Sequence, residues 1–166
     1  MNTTRMRGAA SFICALLLLV QTPSAWAQAT PRSGEAIENR RGLEVVFTKW
    51  LTGWPNMEGL VSGDAGGGRY AGEILTYDHT DGVDIIEALY HINGAARPFT
   101  AQVTVIQNNK RGTATITGVV ISGAFTGKRV RGGYQVITPC LIINSQTGAL
   151  PDFCFQGTLT IGPDLD

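Results

Sequence analysis

Alternation of apolar and polar residues with a period of two constrains this chain more than any other feature. The alternation begins at Leu43 and recurs in short segments rich in Val, Ile, Thr and aromatic residues. A period of two is typical of half-buried β-strands, because successive side chains of a strand point to opposite faces. The predicted strands are Leu43–Trp50, Arg69–Tyr77, Val83–Ile92, Phe99–Asn108, Gly112–Ile121, Lys128–Thr138 and Phe153–Ile161, with an eighth candidate at Cys140–Ile143.

Residues that favour tight turns separate these segments. Asp81-Gly82 and Asn93-Gly94 are typical of type I′ hairpins, because Asp, Asn and Gly tolerate positive φ. Seven or eight short strands joined by hairpins predict an all-β fold, either an antiparallel barrel or a two-layer sandwich. We favour the single-domain barrel, since glycines within the strands, such as Gly118, suit its tight bends.

The first 27 residues have the pattern of a secretory signal peptide. Arg5 and Arg7 precede an apolar run over 9–20, and Ser24 to Ala27 supplies a small-x-small cleavage site. We therefore expect a secreted or periplasmic protein with a signal peptide over 1–27, a polar flexible arm over 28–42, a barrel over 43–161 and a tail over 162–166. After signal removal, no segment has the length of apolar sequence that a transmembrane helix needs.

Two cysteines, Cys140 and Cys154, remain after the predicted signal peptide. Paired cysteines in an exported chain predict a disulfide, with two buried free thiols as the alternative. We expect no metal site, because two cysteines without a nearby His or a further Cys make half of a zinc ligand set.

The basic residues are unevenly distributed. The interval 88–151 contains six Lys and Arg residues and no Asp or Glu. This distribution predicts a basic side on the folded protein. Because the cations lack the interleaved aromatic residues of a nucleic-acid platform, and because the chain is expected to be exported, we expect no nucleic-acid partner.

The run from Gly112 to Tyr134, with glycines at strand ends and at a β-bend, resembles the later strands of the allene oxide cyclase-like and dirigent-like barrels, including uncharacterised bacterial secreted relatives. The segment Phe47-Thr48-Lys49-Trp50 and the glycines that follow Gly63-Asp64 are similar as well. The resemblance covers roughly 43–161 and implies an eight-stranded barrel, often a homo-oligomer, with a ligand cavity in its lumen. Characterised members steer the cyclisation or coupling of hydrophobic small molecules.

The hairpin over 69–92 contains the best polar candidates. With a two-residue turn, Glu73 stands opposite Tyr90 on an apolar face that also contains Tyr77; with a five-residue loop, Glu73 stands opposite Glu87. Either register predicts a carboxylate near apolar surface, which could accept a proton or anchor a ligand. The alternative is that both glutamates point to solvent.

Other candidates have plainer alternatives. His91 is a candidate ligand contact or a surface histidine, and His79 belongs to an acidic turn that lacks the spacing of a calcium loop. Trp54, near the glycine-rich stretch 63–68, either helps a mobile rim loop to close the barrel mouth or plugs the barrel end. The candidate ligand-binding residues are therefore Glu73, Tyr77, Glu87, Tyr90, His91 and Trp54.

Three functions remain open at this level. The first is a module that binds a small apolar or amphiphilic molecule in or at the mouth of the lumen. The alternatives are an extracytoplasmic structural or protein-interaction domain, and a cofactor-free cyclase or isomerase of the allene oxide cyclase-like type that uses Glu73 or Glu87. We expect no cofactor.

Overall fold

The computed structural model describes residues 42–94, 96–144 and 148–162. The predicted signal peptide, most of the polar arm and residues 163–166 lie outside these ranges. No helix that could cross a membrane occurs among the described residues. They form eight strands: β1 (Leu43–Gly53), β2 (Asn56–Gly63), β3 (Gly68–Thr80), β4 (Val83–Gly94), β5 (Phe99–Asn108), β6 (Thr113–Gly123), β7 (Arg129–Ile137) and β8 (Cys154–Gly162).

The strands form a closed antiparallel barrel, as predicted. Each strand pairs with the next along the chain, and β8 pairs with β1. The eighth strand, however, is β2 and not Cys140–Ile143, which is irregular. β2 contains Gly59 and Gly63 and few β-branched residues, so its composition does not mark it as a strand.

The alternation places one side chain in two inside the barrel. On β1, for example, Leu43, Val45 and Phe47 are buried and belong to the core. Burial of each such side chain stabilises the fold by about 1.5–3 kcal/mol. Because the strands run alternately up and down, the β1–β2, β3–β4, β5–β6 and β7–β8 connections all lie at the same end of the barrel.

The β3–β4 hairpin has the predicted two-residue turn. Asp81 and Gly82 have φ values of 54° and 79°, and Thr80 pairs with Val83. Between residues 74 and 76 a β-bulge then shifts the pairing by one residue. A bulge of this kind moves every side chain beyond it to the other face.

The prediction of which β3 side chains face the lumen is therefore wrong beyond the bulge. Glu73 pairs with Leu89 rather than with Tyr90, and it is exposed on the outer wall. The register with a five-residue loop, which placed Glu73 opposite Glu87, is wrong as well, because Glu87 pairs with Thr76.

The predicted disulfide between Cys140 and Cys154 is present. It packs against the buried Trp50 on the outer side of the barrel, with Ile137 and Ile142 beside it. In the chain-entropy model, closing a loop of this size is worth about 3 kcal/mol. The disulfide thus ties the β7–β8 connection to the wall of the barrel.

Gly157 lets β7 and β8 approach closely. A Cβ atom at this position would lie 2.0 Å from the carbonyl oxygen of Gly133 and 2.7 Å from the Cα of Tyr134. The missing side chain leaves room for two inward-facing rings, Tyr134 and Phe155, which meet edge to face with centroids 5.0 Å apart. These two rings form part of the site described next.

Candidate functional site

One end of the barrel is filled with side chains and the other is hollow. The filled end contains small and branched apolar residues, among them Val45, Ile92, Ala101, Val120 and Leu159, all buried. At the end that carries the β1–β2 and β3–β4 turns lies a cavity of about 440 Å³. Much of its lining is apolar and includes Leu51, Met57, Ile74, Ile86, Ala88, Val105 and Val136.

The inner part of this cavity contains a buried lysine. Lys49 lies on β1 in the inward phase of the strand and is only 3 % exposed. Its Nζ atom donates a hydrogen bond to the hydroxyl of Tyr90. Five aromatic rings surround Nζ, with centroids 4.2 to 5.8 Å away; they belong to Phe47, Tyr70, Tyr90, Tyr134 and Phe155.

Burial lowers the pKa of Lys49 to about 7. No carboxylate among the described residues forms an ion pair with it. An ammonium group in apolar surroundings has lost its hydration without gaining an anion, so the neutral amine is favoured. Near neutral pH, a large fraction of the molecules therefore carries a free amine that lines a cavity.

A hydrogen-bonded chain of polar side chains connects the interior with the mouth. The Tyr134 hydroxyl donates to Oε1 of Gln107 at 2.5 Å, and Nε2 of Gln107 donates to Oδ2 of Asp84 at 3.3 Å. At the mouth, Oδ1 of Asp84 accepts from the Tyr77 hydroxyl at 3.0 Å and lies 2.5 Å from Nδ1 of His79. The predicted acidic turn thus folds into a network around one carboxylate.

Asp84 is held in its charged form. Burial raises the pKa of its carboxyl, but hydrogen bonds from His79, Asn109 and Tyr77 together with the nearby His79 ring outweigh burial, so that the pKa lies below its usual value. The cavity therefore has a fixed negative charge at its rim and an amine in its interior. No described group of three or more His, Cys, Asp or Glu side chains is arranged to hold a metal ion.

Three of the predicted ligand contacts line the cavity. Tyr90 lies beside Lys49, while Trp54 and Tyr77 meet edge to face at the rim with centroids 5.6 Å apart. The glycine-rich connection between β2 and β3 lies at the opposite end of the barrel, so it cannot close this mouth as expected.

The other three predicted contacts lie away from the cavity. Glu73 and Glu87 are exposed, because the bulge in β3 places Glu73 on the outer wall and Glu87 follows the outward phase of β4. His91 also faces outward, where its Nδ1 lies 3.1 Å from Oγ1 of Thr100. The carboxylates proposed for catalysis therefore do not reach the lumen.

Six further polar residues that line the cavity were missed as ligand contacts, namely Lys49, Asp84, Gln107, Asn109, Tyr134 and Thr138. A signal for the first of them exists in the sequence. Lys49 occupies the apolar phase of β1, two residues after Phe47 and two before Leu51. A charged residue in the buried phase of a strand is rare unless it is paired or functional.

Comparisons of the chain with protein-family models, with curated proteins and with solved structures find no match. The resemblance to the allene oxide cyclase-like and dirigent-like barrels thus stays a prediction, and function has to be inferred from the cavity.

Proposed function

We propose that this protein is a binding module that holds a small apolar or amphiphilic molecule in the lumen of its barrel. The observation that carries the proposal is the cavity of about 440 Å³, mainly apolar and accessible at one end. Small-molecule sites typically have volumes of about 300–1,000 Å³ and an apolar lining with a few polar groups. The lining here follows that pattern. Its polar groups include the amine of Lys49 and the hydrogen-bonded side chains that run from Tyr134 through Gln107 to Asp84.

The lining suggests how such a molecule lies. Its apolar part packs against Leu51, Ile86 and Val105, whose side chains form the wall of the cavity. A polar group at its inner end meets the amine of Lys49, and the Trp54 ring covers its outer end. Water displaced from this surface supplies the affinity, at about 25 cal/mol per Å² of apolar area removed from water.

The two alternatives have less support. The cyclase or isomerase reading depended on Glu73 or Glu87, and both are exposed on the outer wall. The interaction-domain reading favoured a filled interior together with an exposed apolar patch on the outer wall. Ile85 and Ile106 are exposed and paired on that wall, but the interior is hollow at one end.

Octanol tests the proposal, because it is small and amphiphilic and does not react with an amine. Ala88 lines the cavity, so the variant A88F fills part of it; Ala71 is exposed on the outer wall, so A71F adds the same ring elsewhere. Calorimetry should show octanol binding to wild type and A71F. In A88F the added ring should displace two or more methylene groups of octanol from the lumen, which should weaken binding by about tenfold or more. Equal affinity in all three proteins would place octanol outside the lumen.

We propose further that the protein is exported, in keeping with the pattern of its first 27 residues. The disulfide between Cys140 and Cys154 is typical of oxidising compartments and supports this proposal. Sequencing the N-terminus of the protein recovered from the periplasm or medium should give Gln28 as the first residue. An uncleaved chain retained in the cytoplasm would contradict it.

A further inference from the structure

We propose that the amine of Lys49 captures an apolar aldehyde or ketone in the lumen as a covalent imine. This inference rests on the proposed binding function and specifies the chemical class of the ligand. It assigns the lysine a role that packing alone does not explain, since an aliphatic residue would fill the same position in the barrel at lower cost.

The first argument is the position of the nitrogen. Lys49 is almost completely buried, yet it lines the cavity together with Tyr90, Tyr134 and Phe155. Phe47 also packs against the amine but does not line the cavity. The amine therefore stands between the filled half of the barrel and the hollow half, where a molecule that enters from the mouth reaches it.

The second argument is the lack of an anionic partner that would hold the amine as a cation. A protonated amine has three N–H donors, and Tyr90 is the one hydrogen-bond acceptor that the described residues provide. The titratable groups that face Nζ are the phenols of Tyr70 on β3, Tyr90 on β4 and Tyr134 on β7. Burial raises the pKa of each of these phenols, so they stay neutral and give the amine no anion.

The third argument is chemical. A desolvated lysine amine is an activated nucleophile toward carbonyl carbon. Its lone pair forms the C–N bond while the carbonyl π electrons move to oxygen; both hydrogens of the amine then leave with that oxygen as water, and a C=N bond results. The reaction consumes no oxidant or reductant. The product is neutral, so it fits an apolar interior without a buried charge.

A ligand carboxylate is the competing partner for this amine. A carboxylate would hold Lys49 as an ammonium ion and pair with it, without a covalent bond. Its entry would bring a second charge into an apolar lumen past the ionised Asp84 at the rim, whereas a carbonyl compound brings none.

The chain suits a trapping experiment, because it contains only three lysines: Lys49, Lys110 and Lys128. The purified protein is incubated with octanal, and sodium cyanoborohydride reduces any imine to a stable secondary amine. Intact mass and peptide mapping then locate the octyl group. Variants K49M and K128M are treated in parallel; Lys128 is exposed near the β6–β7 turn, at the opposite end of the barrel. Octanol and octanoate serve as ligands that cannot form an imine.

The proposal predicts one octyl group per chain at Lys49 in wild type and K128M, with at least tenfold less labelling at either of the other lysines. K49M should lose this adduct and still unfold cooperatively in urea, which shows that the variant is folded. Octanol binding without a trapped adduct at Lys49 would overturn the imine and leave the binding function standing. Octanoate binding that requires Lys49, with no adduct from octanal, would identify an ion-pair site instead. If none of the three compounds binds, the proposed binding function itself is wrong.

Discussion

Replacement of Lys49 by methionine should stabilise the protein, and the gain should shrink as the pH rises. Methionine is similar in length and can occupy the aromatic surroundings of Lys49 without a polar group. The substitution removes the cost of withdrawing a charged group from water, which the apolar walls around Nζ do not repay.

The size of the effect follows from the two pKa values. The pKa of Lys49 is about 7 in the folded protein and has an ordinary value of 10.5 in the unfolded chain. Each pKa unit corresponds to about 1.4 kcal/mol. Neutralising the amine on folding therefore costs about 4 kcal/mol at pH 7 and about 2 kcal/mol at pH 9. Between these pH values the unfolded chain binds more protons, so the wild type gains stability as pH rises and K49M lacks this gain.

Urea unfolding of both proteins at pH 7 and pH 9, followed by tryptophan fluorescence without reductant, measures the effect. The difference between the two free energies of unfolding should fall by about 2 kcal/mol from pH 7 to pH 9. Contributions from all other titrating groups, and from the better packing of Met, cancel in this comparison. A difference that does not change with pH would show that the aromatic rings keep Lys49 protonated, and would refute the neutral amine.

Four further variants test other parts of the structure. G157A should cost about 1–3 kcal/mol because its Cβ would overlap the backbone of β7, whereas G67A, with no atom within 4 Å of its Cβ, should stay within about 0.5 kcal/mol in the same urea experiment. The double variant C140A/C154A should lose about 3 kcal/mol, and reduction of the wild type should lose as much. W54A should weaken octanol binding by about 1 kcal/mol in calorimetry without changing stability, because Trp54 is 63 % exposed at the rim.

Local sequence signals were sufficient for most of the fold. The period of two predicts seven of the strands, and Asp81-Gly82 predicts the turn that joins β3 and β4. These features depend on neighbouring residues alone: alternate burial along one strand, or a backbone angle that Asp and Gly tolerate. The pairing of Cys140 with Cys154 could be predicted because only two cysteines follow the predicted signal peptide.

The features of the fold that were missed depend on how strands pair with one another. β2 is a strand because it pairs with β1 and β3, not because of its glycine-containing sequence. The bulge near Leu75 lies where two apolar residues, Ile74 and Leu75, adjoin; either of them could continue the alternation, and the bulge decides that Glu73 faces outward. Both are decided by pairing with the neighbouring strands.

The candidate site was only partly predictable from the sequence. That Lys49 faces inward follows from its place between Phe47 and Leu51, two residues to either side. The surroundings of Lys49 cannot be predicted in this way, because the rings around Nζ come from five different strands that only closure of the barrel brings together. Tyr90 could be predicted to face a lumen, but not that its hydroxyl would contact this amine.

Methyl NMR with octanol tests the hollow, ligand-binding lumen most directly, because inward and outward residues alternate along the same strands. Ile86 and Val105 are cross-strand partners that line the cavity, whereas their neighbours Ile85 and Ile106 are paired on the outer wall and exposed. Nuclear Overhauser effects from bound octanol to the methyl groups of Ile86 and Val105, with none to Ile85 and Ile106, are the expected result. Contacts to the outer pair alone would contradict a binding site inside the barrel.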